Sequence, residues 1–189
     1  ALFDYDDQSP VSIVTMPNKS HHNNTLTTLS GTASDAGGSG FSKMKVLVKW
    51  DAQNKYWQGS DWGAAQTWVN ATGVAPWKYA LPVSSYTDNN YYIVYSSGID
   101  DSLNYQTTIS SAVFYYDIKH STTILVMPKI GGVWEYQQFG TISGTSFDEN
   151  SNASGIKETR TGAYHYNLGK YWNGVNAFDS ATIVWSTTK

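Results

Sequence analysis

The sequence of 189 residues predicts an all-β fold, built of modules in tandem with the second incomplete. Three observations lead there. Apolar residues alternate with polar ones over short stretches that stop at Pro, Gly, Asn or Asp, the pattern of half-buried strands. No long window keeps a helical period. The chain also repeats itself. ALFDYDDQSPVSIVTMP (Ala1–Pro17) returns as AVFYYDIKHSTTILVMP (Ala112–Pro128), LSGTASD (Leu29–Asp35) as ISGTSFD (Ile142–Asp148), and KYWQG (Lys55–Gly59) as KYWNG (Lys170–Gly174). SGF before Ser42 returns as SGI before Lys157, and Trp68 has a partner in Trp185. Self-similarity at this period marks a structural module rather than a catalytic motif.

The elements follow in order. Val11–Met16 is β-branched and stops at Pro17. Leu26–Asp35 ends in the turn-rich loop Ala36–Gly40. Met44, Val46, Val48 and Trp50 alternate with Lys43, Lys45 and Lys49, which predicts a half-buried strand with its lysines out. Trp77, Tyr79 and Leu81 alternate likewise and end at Pro82. Tyr91–Tyr95 and Ala112–Tyr116 are aromatic and β-branched. The expected core takes Met44, Val46, Val48, Tyr91, Ile93, Tyr95, Phe114 and Tyr116. Tyr92 and Val94 are the alternative inward set for the tyrosine strand. About seven short strands in about 110 residues is the pattern of a β-sandwich of immunoglobulin type. With no cysteine in the chain, its core rests on aromatic and aliphatic packing.

Residues 1–7 copy the end of a unit, 8–117 make one complete domain, and 118–189 open a second. With Lys55 matched to Lys170, Met44, Val46, Val48 and Trp50 become Thr159, Thr161, Ala163 and His165. A core strand has turned polar and small. Nothing after Trp185 matches Pro76–Ser111, so the second unit is expected to lack about three strands.

Composition narrows the function classes. Charged residues are 14% and the formal net charge is −3, which speaks against a nucleic-acid partner. No apolar stretch is long enough to span a bilayer. Thiolate metal sites are excluded, and few charges among abundant Ser, Thr, Asn, Gly and Tyr fit an extracellular protein. GTISGTS is the repeat's own strand rather than a nucleophile elbow, and Gly37–Gly40 opens a strand rather than a phosphate-binding helix. His21, His22, His120 and His165 have no partners at metal or catalytic spacing. His21-His22 reads as a solvated, Asn-rich loop.

The run TLSGTASDAGGSGFSKMKVLVKWDAQNKYWQGSDW, with TW, ATG, W-x-Y and LP after it, resembles the tandem bacterial Ig-like (Big-type) repeats of large extracellular surface proteins. The shared order is an SGTASD turn, an SG-initiated strand, a YW-x-G turn, a Trp-containing strand, Y-x-V and a closing F-x-x-D, over nearly the whole chain. The resemblance implies an Ig-like sandwich in an adhesin, stalk or surface layer, without enzymatic activity.

Carboxylates are the first candidate site. In such a sandwich the loops holding Asp35 and Asp100-Asp101 lie at the pole where Asp6 and Asp7 enter. Converging carboxylates on flexible loops suit Ca²⁺. Asp117, Asp148 and Glu149 are the counterparts at the next junction. The competing reading is that each Asp caps a turn. The second candidate is a glycan platform of exposed aromatics at Trp62, Trp77 and Trp134, which would make the chain a carbohydrate-binding module. Asn18, Asn23, Asn70 and Asn152 begin N-x-S/T triplets compatible with glycosylation.

Assembly is the third. Ala1, Phe3 and Tyr5 are patterned like Ala112, Phe114 and Tyr116, so the segment has the makings of a donor strand. The expected partners are copies of the chain, joined head to tail by strand addition, or flanking repeats of one long polypeptide.

Overall fold

The computed structural model describes residues 5–128 and 141–188. Ala1, Phe3 and Trp134 lie outside these. The described chain is all-β and falls into two compact units. One runs to Ile118 and takes in Asn150–Asn152; the other is made of Lys119–Glu149 and the residues from Ala153 on.

The first unit has ten strands rather than about seven. They are β1 (Val11–Met16), β2 (His21–His22), β3 (Thr28–Ser34), β4 (Phe41–Trp50), β5 (Lys55–Trp57), β6 (Trp62–Gly63), β7 (Val69–Asn70), β8 (Trp77–Ala80), β9 (Asn90–Asp100) and β10 (Ser110–Tyr116). The additional strands are two-residue pieces at sheet edges, too short for a period-2 signal. One sheet has the order β1-β3-β8. The other has the order β2-β10-β9-β4-β5-β6, with β7 pairing β4. The two sheets bury a common core of Leu29 and Trp77 from the first and Met44, Val46, Val48, Trp57, Tyr92, Val94, Phe114 and Tyr116 from the second.

The lysine-tagged strand β4 faces as its alternation requires. For β9 the inward set is Tyr92 and Val94, both 0% exposed, and Tyr91, Ile93 and Tyr95 turn outward. Expecting Tyr91, Ile93 and Tyr95 in the core was therefore wrong by one residue. The register decides the matter, because Val48 pairs Val94 and Trp50 pairs Tyr92 on β4's buried side. Pairing in a sheet fixes a shared face, and a slip of one residue turns every side chain over.

The second unit contains β11 (Thr122–Met127), β12 (Ser143–Phe147), β13 (Thr159–Thr161), β14 (Tyr164–His165), β15 (Lys170–Trp172), β16 (Phe178–Ser180) and β17 (Ser186–Thr188). Its β11–β12 and β14–β15 pairings reproduce β1–β3 and β4–β5 residue by residue, whereas β15–β16 has an irregularity between Tyr171 and Trp172 that β5–β6 lacks. Ile13 faces Thr32 and Val14 faces Gly31, with a bulge before Met16. Likewise Ile124 faces Thr145 and Leu125 faces Gly144, with a bulge before Met127. Lys49 faces Tyr56 and Trp50 faces Lys55; Tyr164 faces Tyr171 and His165 faces Lys170. The altered strand has a structural consequence. Where β4 runs unbroken for ten residues, its counterpart splits into β13 and β14 around Gly162 and Ala163.

One glycine of the repeated SGT run is dictated by contact. A Cβ on Gly31 would lie 1.9 Å from the Ile13 carbonyl oxygen and 2.4 Å from the Trp77 ring. On Gly144 it would lie 2.4 Å from the Ile124 carbonyl oxygen. Gly31→Ala is therefore expected to cost about 1–3 kcal/mol of unfolding free energy in urea titration, the usual cost of forcing extra atoms into a packed interior. Val11→Ala, at an exposed position of the same hairpin, is expected to stay within about 0.5 kcal/mol.

Candidate functional site

Three loops of the first unit bring carboxylates together. Asp6 sits in the extended entry segment before Pro10, a proline that is fully buried. Asp35 follows β3, and Asp100 is the last residue of β9. One ligand-competent oxygen from each lies within 4.8 Å of the others. Asp6, Asp35 and Asp100 are three of the five carboxylates expected from sequence at this pole. Asp7 and Asp101 are exposed and are not part of the group.

Backbone donors hold the arrangement. Asp35 accepts the Gly37 and Gly40 amides at 3.4 and 3.0 Å through its two oxygens. Asp6 accepts the Gln8 amide at 2.9 Å and the Ser39 amide at 3.2 Å. Fully buried Asp100 accepts the Asn104 amide at 2.7 Å and the Asn104 side-chain amide at 2.8 Å. That same side-chain nitrogen donates to the Asp6 carbonyl at 3.1 Å, tying the entry segment to the β9–β10 loop. Hydrogen bonding from Ser39 first, and from the Gln8 amide next, holds the Asp6 carboxyl below its ordinary value. A Cβ at Gly37 would fall 1.8 Å from an Asp6 oxygen, so a larger residue there would displace that carboxylate from the group.

Each carboxylate is thus a turn cap, and together they concentrate three negative charges. Among the described residues, the ion pairs are Lys49–Asp51, Lys119–Glu149 and Arg160–Glu158, none of them at this cluster. Buried charge is stable when paired or when it coordinates a metal. The oxygen separations suit a cation ringed by ligands at about 2.3–2.6 Å, as Ca²⁺ is. The trio supplies three of the six to eight oxygens such an ion takes.

In the second unit the Gly155 amide donates to Asp148 at 3.1 Å, as Gly40 does to Asp35. Glu149 accepts from Thr122 at 3.1 Å and pairs with Lys119. In the first unit Asp117 is buried at the end of β10 and accepts the Asn150 side-chain amide at 2.8 Å.

The tryptophan platform needs correction. Trp77 is 0% exposed and belongs to the core. Trp62 packs edge-on against Trp50 and Trp57 at 5.7 and 5.5 Å, and its indole N–H donates to the Ser85 carbonyl. Neither presents a free ring face. Of the sequon asparagines, Asn18, Asn23 and Asn70 are exposed and Asn152 is half-buried. Asn23 caps its own turn, accepting from the Thr25 amide and hydroxyl. His21 and His22 also depart from expectation. They form β2, paired parallel to Tyr115 and Tyr116 at the edge of the larger sheet. Sequence gave no signal for this, because a two-residue parallel bridge has no period.

His22 lines a cleft of about 290 Å³ with Met16, Lys19 and Leu26. Burial, and then the charge of Lys19, hold its imidazole below the ordinary 6.5.

No family model matches the chain, and no curated protein is similar to it in sequence.

Two outcomes are expected. Added Ca²⁺ raises the melting temperature with concentration, because binding only the folded state adds stability. Asp35→Asn weakens that rise, and identical melting curves in Ca²⁺ and in excess chelator contradict the site. Second, the unfolded chain protonates His22 more readily than the folded one does. Its contribution is therefore whole above the unfolded value and lost as pH falls through 6.5 toward the lower folded value. Urea midpoints should drop between about pH 7 and about pH 5, and the drop should shrink in His22→Gln.

Proposed function

We propose that the chain is a non-enzymatic structural protein of the extracellular surface, made of tandem Ig-like sandwich modules. It would serve as a spacer in a stalk, adhesin arm or fibre. The reading follows the resemblance to bacterial Ig-like repeats. The observation that carries it is the duplicated register: the β1–β3 and β4–β5 hairpins recur as β11–β12 and β14–β15, bulge included. A duplicated scaffold, rather than a duplicated cleft, is what an array of like modules needs.

We further propose that units join by β-strand addition. In the first unit β3 is flanked by β8, and β4 by β9. Among the described residues β12 pairs only β11, and β13 pairs only β17. Leu125 is 48% exposed and Trp185 is 53% exposed, whereas their counterparts Val14 and Trp68 are half-buried. Unpaired edges and uncovered apolar side chains recruit strands. The donor is the segment Ala1–Asp6 of another copy, or the matching segment of a flanking repeat. Tyr5 is 76% exposed, while Asp6 is anchored to Ser39, so the donor pattern begins next to a fixed point. Such a contact is heterologous and extends into a filament when its rotation does not close.

Negative-stain microscopy and sedimentation of the full chain and of a variant lacking Ala1–Asp7 test this. Head-to-tail polymers that the deletion abolishes are expected. Polymers of unchanged length after the deletion overturn donation by this segment. A full chain that stays monomeric assigns the open strands to flanking repeats.

A further inference from the structure

We propose that the outward face of the seven-stranded sheet is a binding platform for an acidic polysaccharide. Register gathers tyrosines there around Lys49, Ile93 and the buried Leu47. Opposite Lys49 stand Tyr56 and Ile93, and opposite Leu47 stands Tyr95. Tyr91 faces Tyr115, and His21 of β2 completes that row. Three of the rings stand in a row: His21 stacks on Tyr115 at 5.4 Å, and Tyr115 meets Tyr91 at 5.0 Å. These positions alternate with Val48, Tyr92 and Phe114 of the core, so all point away from it. Trp50, Trp57 and Phe114 of the same strands turn inward, and the aromatics left outside carry a hydroxyl or a ring nitrogen.

The second unit supplies an independent observation. The positions equivalent to Lys49 and Tyr56 are Tyr164 and Tyr171, with ring centroids 4.7 Å apart. Tyr166, just beyond, is 87% exposed. The inward positions of that strand have lost their apolar side chains, yet the outward position next to β15 carries Tyr164, facing Tyr171. Core packing does not account for this outward tyrosine pair, in which Tyr171 repeats Tyr56 and Tyr164 replaces Lys49.

Charge selects the ligand. Lys43, Lys45 and Lys49 alternate along the outward side of β4. Lys49 pairs with Asp51 at 2.6 Å, while among the described residues Lys43 and Lys45 make no ion pair. Tyrosine rings stack on the C–H faces of pyranoses, their hydroxyls exchange hydrogen bonds with sugar hydroxyls, and free ammonium groups pair with uronate carboxylates. A neutral glycan uses only the first two.

The test is binding of the full chain to immobilised polygalacturonate and immobilised dextran. Binding to polygalacturonate that weakens with added salt, and little binding to dextran, is expected. The pair Tyr91→Ala and Tyr115→Ala should abolish it, Tyr115→Phe should keep most of it, and the pair Lys43→Gln and Lys45→Gln, one exposed and one half-buried, should lose it with an unchanged melting curve. The lysine pair decides the matter should the tyrosine pair fail to fold. No binding, equal binding to dextran, or binding untouched by the lysine pair overturns the proposal. Self-association removed by the same substitutions also overturns it, and assigns the face to a second copy.

Discussion

The pairing of β9 with β4 is the constraint on which the first unit depends. Nine residue pairs run from Phe41–Asp100 to Trp50–Tyr92, with one irregularity between Phe41 and Lys43. No disulfide supports the two sheets. The unit is therefore held by side chains that this register sends inward, and burying an aromatic or branched residue contributes about 1.5–3 kcal/mol. Tyr92 alone meets Trp50, Trp62, Tyr86 and Phe114 at ring separations of 5.2–6.1 Å. The phenol of Tyr86, wholly within this cluster, is driven far above its ordinary value by burial, with smaller pushes from Tyr92 and Tyr116.

The same register distributes the residues of β9 among three settings. Inward residues of β9 make the core. Its outward residues, Tyr91 and Tyr95, build the tyrosine face, and its last residue, Asp100, completes the carboxylate group. Another buried polar knot secures the strand near that end: Gln106 accepts from the Gly98 amide at 3.0 Å and from the Ser12 hydroxyl at 2.6 Å. The second unit illustrates what happens when the inward pattern is lost. Thr159, Thr161, Ala163 and His165 replace four core side chains, and the long strand breaks in two.

What sequence reveals here depends on contrast between alternate positions. In β4 lysines mark one face, so the phase of Met44, Val46 and Val48 is plain. In β9 both alternate sets are aromatic or β-branched, and neither is marked, so only cross-strand pairing separates Tyr92 from Tyr91. The carboxylate trio was legible because a repeat locates its own junctions and each Asp closes a turn. Its supports were not, since Gly37, Ser39 and Asn104 act through backbone amides or a single amide side chain. Tryptophan abundance misled for the opposite reason: an indole with its N–H satisfied, as in Trp57 donating to Tyr79 at 2.7 Å, is equally at home inside.

The most direct measurement of the central claim is residue-resolved nitration of tyrosines in the folded protein, read by peptide mass spectrometry. The β4–β9 register predicts modification at Tyr91, Tyr95 and Tyr115, with Tyr86, Tyr92 and Tyr116 protected until the chain unfolds. Modification of Tyr92 ahead of Tyr91 would mean that β9 lies one residue out of this register, and would contradict the core, the tyrosine face and the placement of Asp100 together.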